Sequence, residues 1–371
     1  MTEEIAGIVR GLPELKSVTA VRELAERWMA AGEADRVTEL GVALGQAYGG
    51  RAKGGWQYPS VQHQLLRMLA RTPGAGYADR AARLVAADDG GELPRLAASL
   101  LASSRRPADL ATLFRSGAGG SEELPACLVQ ELVVRGVDLA ALPSAAEWVS
   151  APYRARHPLA WLPLTRFRFE LDPPLPRHVL GWSGHSLPGD ASRASLPGSA
   201  VASVPAWTES TTAASGAAIG AAVRNWTEDS NGDVEARAFE FAEPLALAAL
   251  PAALPAVGLD CTEGHGRAAV TESSPAAVWE ALFNAASHGG AYSSSEYGAY
   301  GRLAAWRSLA GMVGAGEGAS AAVVAELVEA HRWFGFSTGP GWFNRIAWDL
   351  GVLALSPDGR RLAVLAATDT D

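Results

Sequence analysis

Cysteine is scarce: Cys127 and Cys261 stand far apart in a chain of 371 residues. That excludes a disulfide framework and suits a reducing compartment, with both side chains as free thiols. Lysine is scarcer still, Lys16 and Lys53 standing beside 29 arginines. Such a bias reflects GC-rich coding more than physical choice, so arginine abundance says little about function. Positive charge is short overall, with a net charge of −9. A nucleic acid partner needs a basic face that releases counterions, so none is expected. No stretch of about 18 apolar residues escapes charge or proline, so no membrane span is expected. The segment MTEEIAGIVRGLPELK lacks a basic n-region and an apolar h-region, so no secretory signal is expected and the cytoplasm is the expected location. GxGxxG, GxxxxGK[ST] and a G-x-S-x-G elbow after a strand are also missing, and no cofactor is expected.

Residues 1–148 read as an all-helical half. SVTAVRELAERWMAAG places Val21, Leu24 and Trp28 at helical spacing, and VQHQLLRMLAR does the same with Val61, Leu65 and Met68. Starts near Ser17, Ser60, Glu92 and Glu122, each followed by a shorter helix such as ADRVTELGVALGQAY or ADLATLF, suggest a helix-hairpin repeat. A solenoid and an irregular bundle both fit this pattern. The character changes near Pro152, and ten of the twelve tryptophans lie from Trp148 onward. Residues 149–371 read as a mixed α+β domain, so the fold class is α+β with a repeat-like helical N-terminal half.

Within that second half, LTRFRFEL and VEARAFEFAEPL alternate like strands, and residues 183–218 read as a long exposed loop. Asn231-Gly232 signals a tight hairpin turn between RNWTEDS and DVEARAFEF. Ser274 and Pro275 suit an N-cap and first helical position for AAVWEALFNAAS. Helices are expected again in GRLAAWRSLAGMV and AVVAELVEAHRWF, the second with Val323, Leu327 and Phe334 on one stripe. At the end, VLAL and LAVLAA flank Ser356-Pro357-Asp358-Gly359, the residues of a hairpin turn. LAVLAA alternates little, so it should be a central strand covered on both faces.

No metal site is expected. Asp229, Asn231, Asp233, Glu235 and Glu240 have the spacing of a calcium loop, but Val234 stands where the sharp turn requires glycine. A polar turn is the better reading. Asp260, Cys261, Glu263 and His265 cluster in one segment, with His178 and His185 elsewhere, yet zinc ligands normally come as short pairs on two elements. Trp348-Asp349 in AWDLGVLALSPDGRRLAV resembles one strand pair of a propeller, but no second copy exists and the propeller is rejected.

Two segments stand out as a candidate site. In SHGGAYSSSEYGAYGRLAAW a glycine-rich loop carries His288, Tyr292 and Tyr297 into a helix bearing Arg302, where free amides and a guanidinium can hold an anion. In the dense aromatic block after His331, Trp342, Asn344, Arg345 and Asp349 supply further contacts. GAYGRLAAWRSLAGMVG and WFNRIAWDLGVLALSPDGRRLAVLAATDTD resemble the C-terminal part of an uncharacterised family of unknown function from GC-rich actinomycete-type bacteria, over residues 267–371. That resemblance implies kinship and carries no chemistry with it. Two functions are therefore weighed. One is a regulatory or scaffold protein that binds a protein partner through its helical half or takes up a small-molecule ligand. The other is an enzyme acting on a small polar or anionic metabolite, with His288 as acid or base because an imidazole titrates near neutrality. The pocket of that enzyme would be lined by Tyr292, Tyr297, Arg302, Trp342, Asn344, Arg345 and Asp349.

Overall fold

The computed structural model describes residues 2–50, 55–74, 76–88, 90–115, 122–151, 156–171, 173–179, 182–184, 203–338, 341–343 and 348–370. The chain is mixed α and β and divides into two compact units. One comprises Met1–Ala160 with Pro176–Gly184, the other Trp161–Leu175 with His185–Asp371.

The first unit begins with α1 (Glu3–Gly11), capped by the Thr2 side chain, which accepts from the Ile5 amide. It continues through α2 (Thr19–Ala30), α3 (Ala34–Tyr48), α4 (Gln57–Arg71), α5 (Tyr77–Val85) and α6 (Glu92–Ser104). The short α7 (Ala111–Arg115), α8 (Glu123–Val134) and α9 (Pro143–Val149) follow. Helices alternate between two rows. α1, α3, α5, α7 and α9 pack in succession along one, and α2, α4, α6 and α8 along the other. Burial follows from the pattern of each sequence. α2 buries only Val21, Ala25 and Trp28, a stripe at helical spacing. α8 is buried from Leu124 to Val134 and is apolar nearly all round. A two-stranded ribbon of β1 (Arg177–Val179) and β2 (Trp182–Gly184) completes the unit.

The second unit is built on a six-stranded antiparallel sheet. Its strands are β3 (Trp207–Glu209), β4 (Asp233–Phe241), β5 (Ala269–Ser273), β6 (Arg332–Ser337), β7 (Trp348–Leu355) and β8 (Arg361–Asp369), in the order β3-β4-β8-β7-β6-β5. β7 and β8 pair across the Ser356–Gly359 turn with Leu355 opposite Leu362, and β8 lies between β4 and β7. Residues Leu362–Asp369 of β8 are all buried, as a strand without alternation requires. One face of the sheet, carrying Phe239, Leu353, Val364 and Phe334, packs against α12 (Leu250–Ala256) and the chain around Cys261. On the other face lie α10 (Ala213–Ile219), α13 (Pro275–His288) and α14 (Tyr297–Met312). Gly220, just past α10, comes against Val234 and Ala236, which alternate with the Phe239 side of β4. Among the described residues this unit also contains α11 (Arg224–Glu228) and α15 (Ala321–Ala330).

Four local expectations are corrected. LTRFRFEL is irregular rather than a strand, because its alternate residues serve a buried network described below: Phe167 and Phe169 stack on each other and against Trp306, while Glu170 turns inward. Asn231-Gly232 joins α11 to β4, so the hairpin expected there does not form; β4 pairs with β3 and β8 instead. The helix ending AHRWF stops at Ala330, and Phe334 sits in β6, where two-residue alternation puts Trp333 and Phe334 on opposite faces. The loop expected over 183–218 contains β3 and most of α10; its residues 185–202 lie outside those described.

Candidate functional site

The structure divides the expected site between the two faces of the sheet. His288 is the last residue of α13 and is buried, its Nδ1 hydrogen-bonded to Asn284 Oδ1. Tyr292 is 63% exposed and its amide donates to Ser230 Oγ at 3.1 Å. This loop is drawn onto the sheet by Asp369, which accepts from Ser230 Oγ at 3.0 Å and from the Ala291 amide at 2.6 Å. Tyr297 is buried at the start of α14 with φ 53°, the one non-glycine residue with positive φ among the described residues. Asp349 points to the opposite face, where Thr368 Oγ1 donates to its Oδ1 at 2.7 Å. Trp342 packs half-buried on that same face, against the cluster of Phe343 and Phe336. Asn344 and Arg345 lie outside the described residues.

Arg302 is committed to a buried ion pair. Its Nε and Nη2 donate to the two carboxylate oxygens of Glu170, each at 2.7 Å, and both side chains are 0% exposed. Nη1 and Nη2 also donate to the carbonyls of Pro163 and Thr165 at 2.8 and 2.9 Å. Glu170 accepts two more bonds, from Trp306 Nε1 and the Phe167 amide, each at 2.8 Å. A forked guanidinium matched to a carboxylate is the geometry that arginine favours. Here the anion is the protein's own side chain.

Convergent polar groups around open space occur instead in the helical unit. A cavity of about 380 Å³ is bounded by the ends of four helices: the last turn of α3, the first turns of α4 and α6, and the chain leaving α5. That volume falls within the roughly 300–1,000 Å³ usual for small-molecule sites. Tyr48, Tyr58, Gln62, His63, Asp88 and Glu92 line it. The rings of Tyr48 and Tyr58 lie 6.0 Å apart, tilted by 52°. Tyr58 Oη donates to Asp88 Oδ2, and the Gly90 amide donates to Asp88 Oδ1 at 2.7 Å. Gln62 is 1% exposed; its Nε2 donates to the Gly41 carbonyl at 3.1 Å, while its buried Oε1 has no donor among the described residues.

Burial, seconded by the nearby Arg67 charge, pulls the His63 imidazole down to about 4, so at neutral pH it is uncharged. Burial likewise pushes the Tyr58 phenol up, followed by its bond to Asp88. The cavity thus brings the side chains of Asp88 and Glu92 together with the uncharged His63 imidazole and the hydroxyls of Tyr48 and Tyr58. Among the described residues no group of three histidine, cysteine or carboxylate side chains is placed to hold a metal ion, these included.

This site was missed in the sequence, though it left a trace. Gly41 and Gly45 on α3 and Gly49 just past its end recur every four residues and let the end of α5 close in. A Cβ at Gly41 would come within 2.3 Å of Leu84 Cδ1, one at Gly45 within 2.8 Å of the Ala87 carbonyl oxygen, and one at Gly49 within 2.9 Å of Asp88 Oδ1. That close approach seats Asp88 at the cavity.

The model of a family of unknown function, DUF6183, matches residues 19–371. The match therefore covers the helical half as well as the C-terminal part in which a resemblance is visible by eye. No curated protein and no solved structure matches.

Proposed function

Since the chain belongs to that family, whose function is unknown, we propose a role from the geometry alone: a binding protein whose helical unit takes up a small-molecule ligand. The observation that carries this reading is the cavity of about 380 Å³ lined by polar side chains, Tyr58 and Gln62 buried among them. Filled cores lack such space, and dry apolar cavities lack such groups. A regulatory role in the cytoplasm fits both the small-molecule site and the two buried free thiols. The two rows of helices also offer the extended surface that stacked helical proteins present to protein partners. The coding bias fits an actinomycete-type source.

The enzyme reading built on His288 gains nothing from the geometry, because its described partners lie on two faces of the sheet and Arg302 is already paired. The test is native mass spectrometry of the purified full-length protein, with identification of any co-purifying metabolite. A bound small molecule that is lost in Tyr58→Ala, while folding is retained by circular dichroism, is the expected result. A wild-type protein free of ligand and indifferent to a broad metabolite panel would sink the reading.

A further inference from the structure

We propose that the second unit carries a binding cleft of its own, between α11 and α14, for the carboxylate group of a small molecule. Its lining lies wholly within that unit, so it stands or falls apart from the cavity of the helical unit.

The two arginines of α14 face different ways. Arg302 turns inward and is consumed by Glu170, whereas Arg307 lies five residues on, about 140° round a helix of about 3.6 residues per turn. Arg307 is exposed, and among the described residues it makes neither a hydrogen bond nor an ion pair. Arg224 of α11 lines the same cleft. Its guanidinium lies 3.4 Å from Glu228 and 3.8 Å from Glu296, both longer than the hydrogen-bond range of about 2.7–3.2 Å. Its N–H groups therefore remain available. Within the lining these two guanidiniums face one carboxylate, that of Glu296. Glu228 sits outside the lining with its side chain 63% exposed, where water and salt screen it. Asn225, 6% exposed in the wall, donates from Nδ2 to the Ser294 carbonyl at 3.0 Å. That bond fixes the amide and leaves the second N–H of the group for another acceptor.

Size selects among anions. Ala221, Ala286 and Ala304 keep the floor low, and the space they leave is about 30 Å³. That is room for roughly two water-sized groups at about 10–15 Å³ each. A carboxylate, two oxygens on one carbon, is of this size, and its planar pair of acceptors suits a guanidinium fork. A phosphate group, with four oxygens, is too bulky to enter fully. The cleft thus reads a headgroup, and the rest of the ligand lies outside its mouth.

Saturation-transfer NMR on the full-length protein tests this with acetate, and with tert-butylammonium as the cationic control. Acetate is expected to give a saturable signal that the ammonium does not. Arg307→Gln should weaken acetate about tenfold, the loss expected for one charge-assisted contact. Arg307→Lys keeps the charge without the fork and should fall between. Ala304→Leu should abolish binding by filling the space with no change of charge, and Glu296→Gln should strengthen it by removing the opposing carboxylate. Arg307 is exposed and Ala304 half-buried, so circular dichroism of their variants should match wild type. Acetate without a signal, or with a signal unchanged by either Arg307→Gln or Ala304→Leu, is an adventitious ion only and overturns the proposal. Tert-butylammonium bound in wild type and lost in Ala304→Leu overturns it equally, since the cleft would then select a cation.

Discussion

Arg302 and Glu170 form a pair in which neither charge reaches water, so each depends on the other. Removing one partner of a buried pair leaves the other uncompensated and typically costs about 3–5 kcal/mol. Arg302→Met is expected to lose stability on that scale in urea denaturation. Arg302→Met with Glu170→Gln should recover part of it, because the amide oxygen still accepts from Trp306 or Phe167. A single variant within about 1 kcal/mol of wild type would show the pair to be dispensable. At Tyr297 two effects compete. Glycine would relieve a left-handed backbone costing roughly 1–2 kcal/mol, but deleting a buried ring costs about 3–5 kcal/mol. Tyr297→Gly is therefore expected to destabilise, as its thermal midpoint will report.

His63 and His178 titrate in the opposite sense from a salt-bridged histidine. Burial lowers them to about 4 and about 3, so the unfolded chain takes up their protons first, and stability rises with pH. Their contribution is complete above about pH 6.5 and is lost as pH falls toward about 4 for His63 and about 3 for His178. His63→Gln should flatten the fall in melting temperature across that window, and an unchanged slope would count against the burial of the imidazole. None of these roles was readable locally. The acceptor for Arg302 lies 132 residues away, so the sequence showed an arginine at a helix start and suggested a foreign anion.

The closing strands were the most legible elements, because proline and glycine in Ser356–Gly359 specify a turn and an unbroken apolar run specifies a strand covered twice. Since β8 lies between β4 and β7, deleting residues 362–371 should abolish the cooperative transition of the second unit; a truncated chain that melts like the parent would contradict this. Asn231-Gly232 misled because its signal concerns two residues and cannot say whether a strand or a helix comes before it. AHRWF misled because an apolar residue at the end of a helix and one at the start of a strand look alike. The glycine spacing at the end of α3 is legible in the sequence, but only the approach of α5 gives it a meaning. It supports a prediction in which two magnitudes compete. Gly45→Ala gains about 1 kcal/mol of helix propensity, but the new methyl would sit 2.8 Å from a backbone oxygen, that of Ala87. Backbone yields less readily than a side chain, so overpacking of about 1–3 kcal/mol should prevail, and denaturant midpoints will give the sign.

For the chain as a whole, the composition change near Pro152 motivates a division between 148 and 149, which we retain as a proposal. A chain beginning at 149 keeps Glu170 and the two stacked phenylalanines for Arg302 and Trp306, whereas one beginning at 176 strands Arg302 in the core. The longer fragment is expected to show a cooperative melt by calorimetry and the shorter one to lack it. If both melted alike, the segment 161–175 would be an ornament on the second unit. The two classes of element were evident in the sequence. What was not evident is that the chain leaves the first unit after Ala160, returns for Pro176–Gly184 and leaves again, because nothing local distinguishes these short stretches. This threading sets a timetable during synthesis. The first unit is incomplete until Gly184 has been made, and Glu170 emerges long before the arginine that neutralises it. At about 5–20 residues per second, that carboxylate waits on the order of ten seconds in solvent, so the second unit closes its core only late in translation.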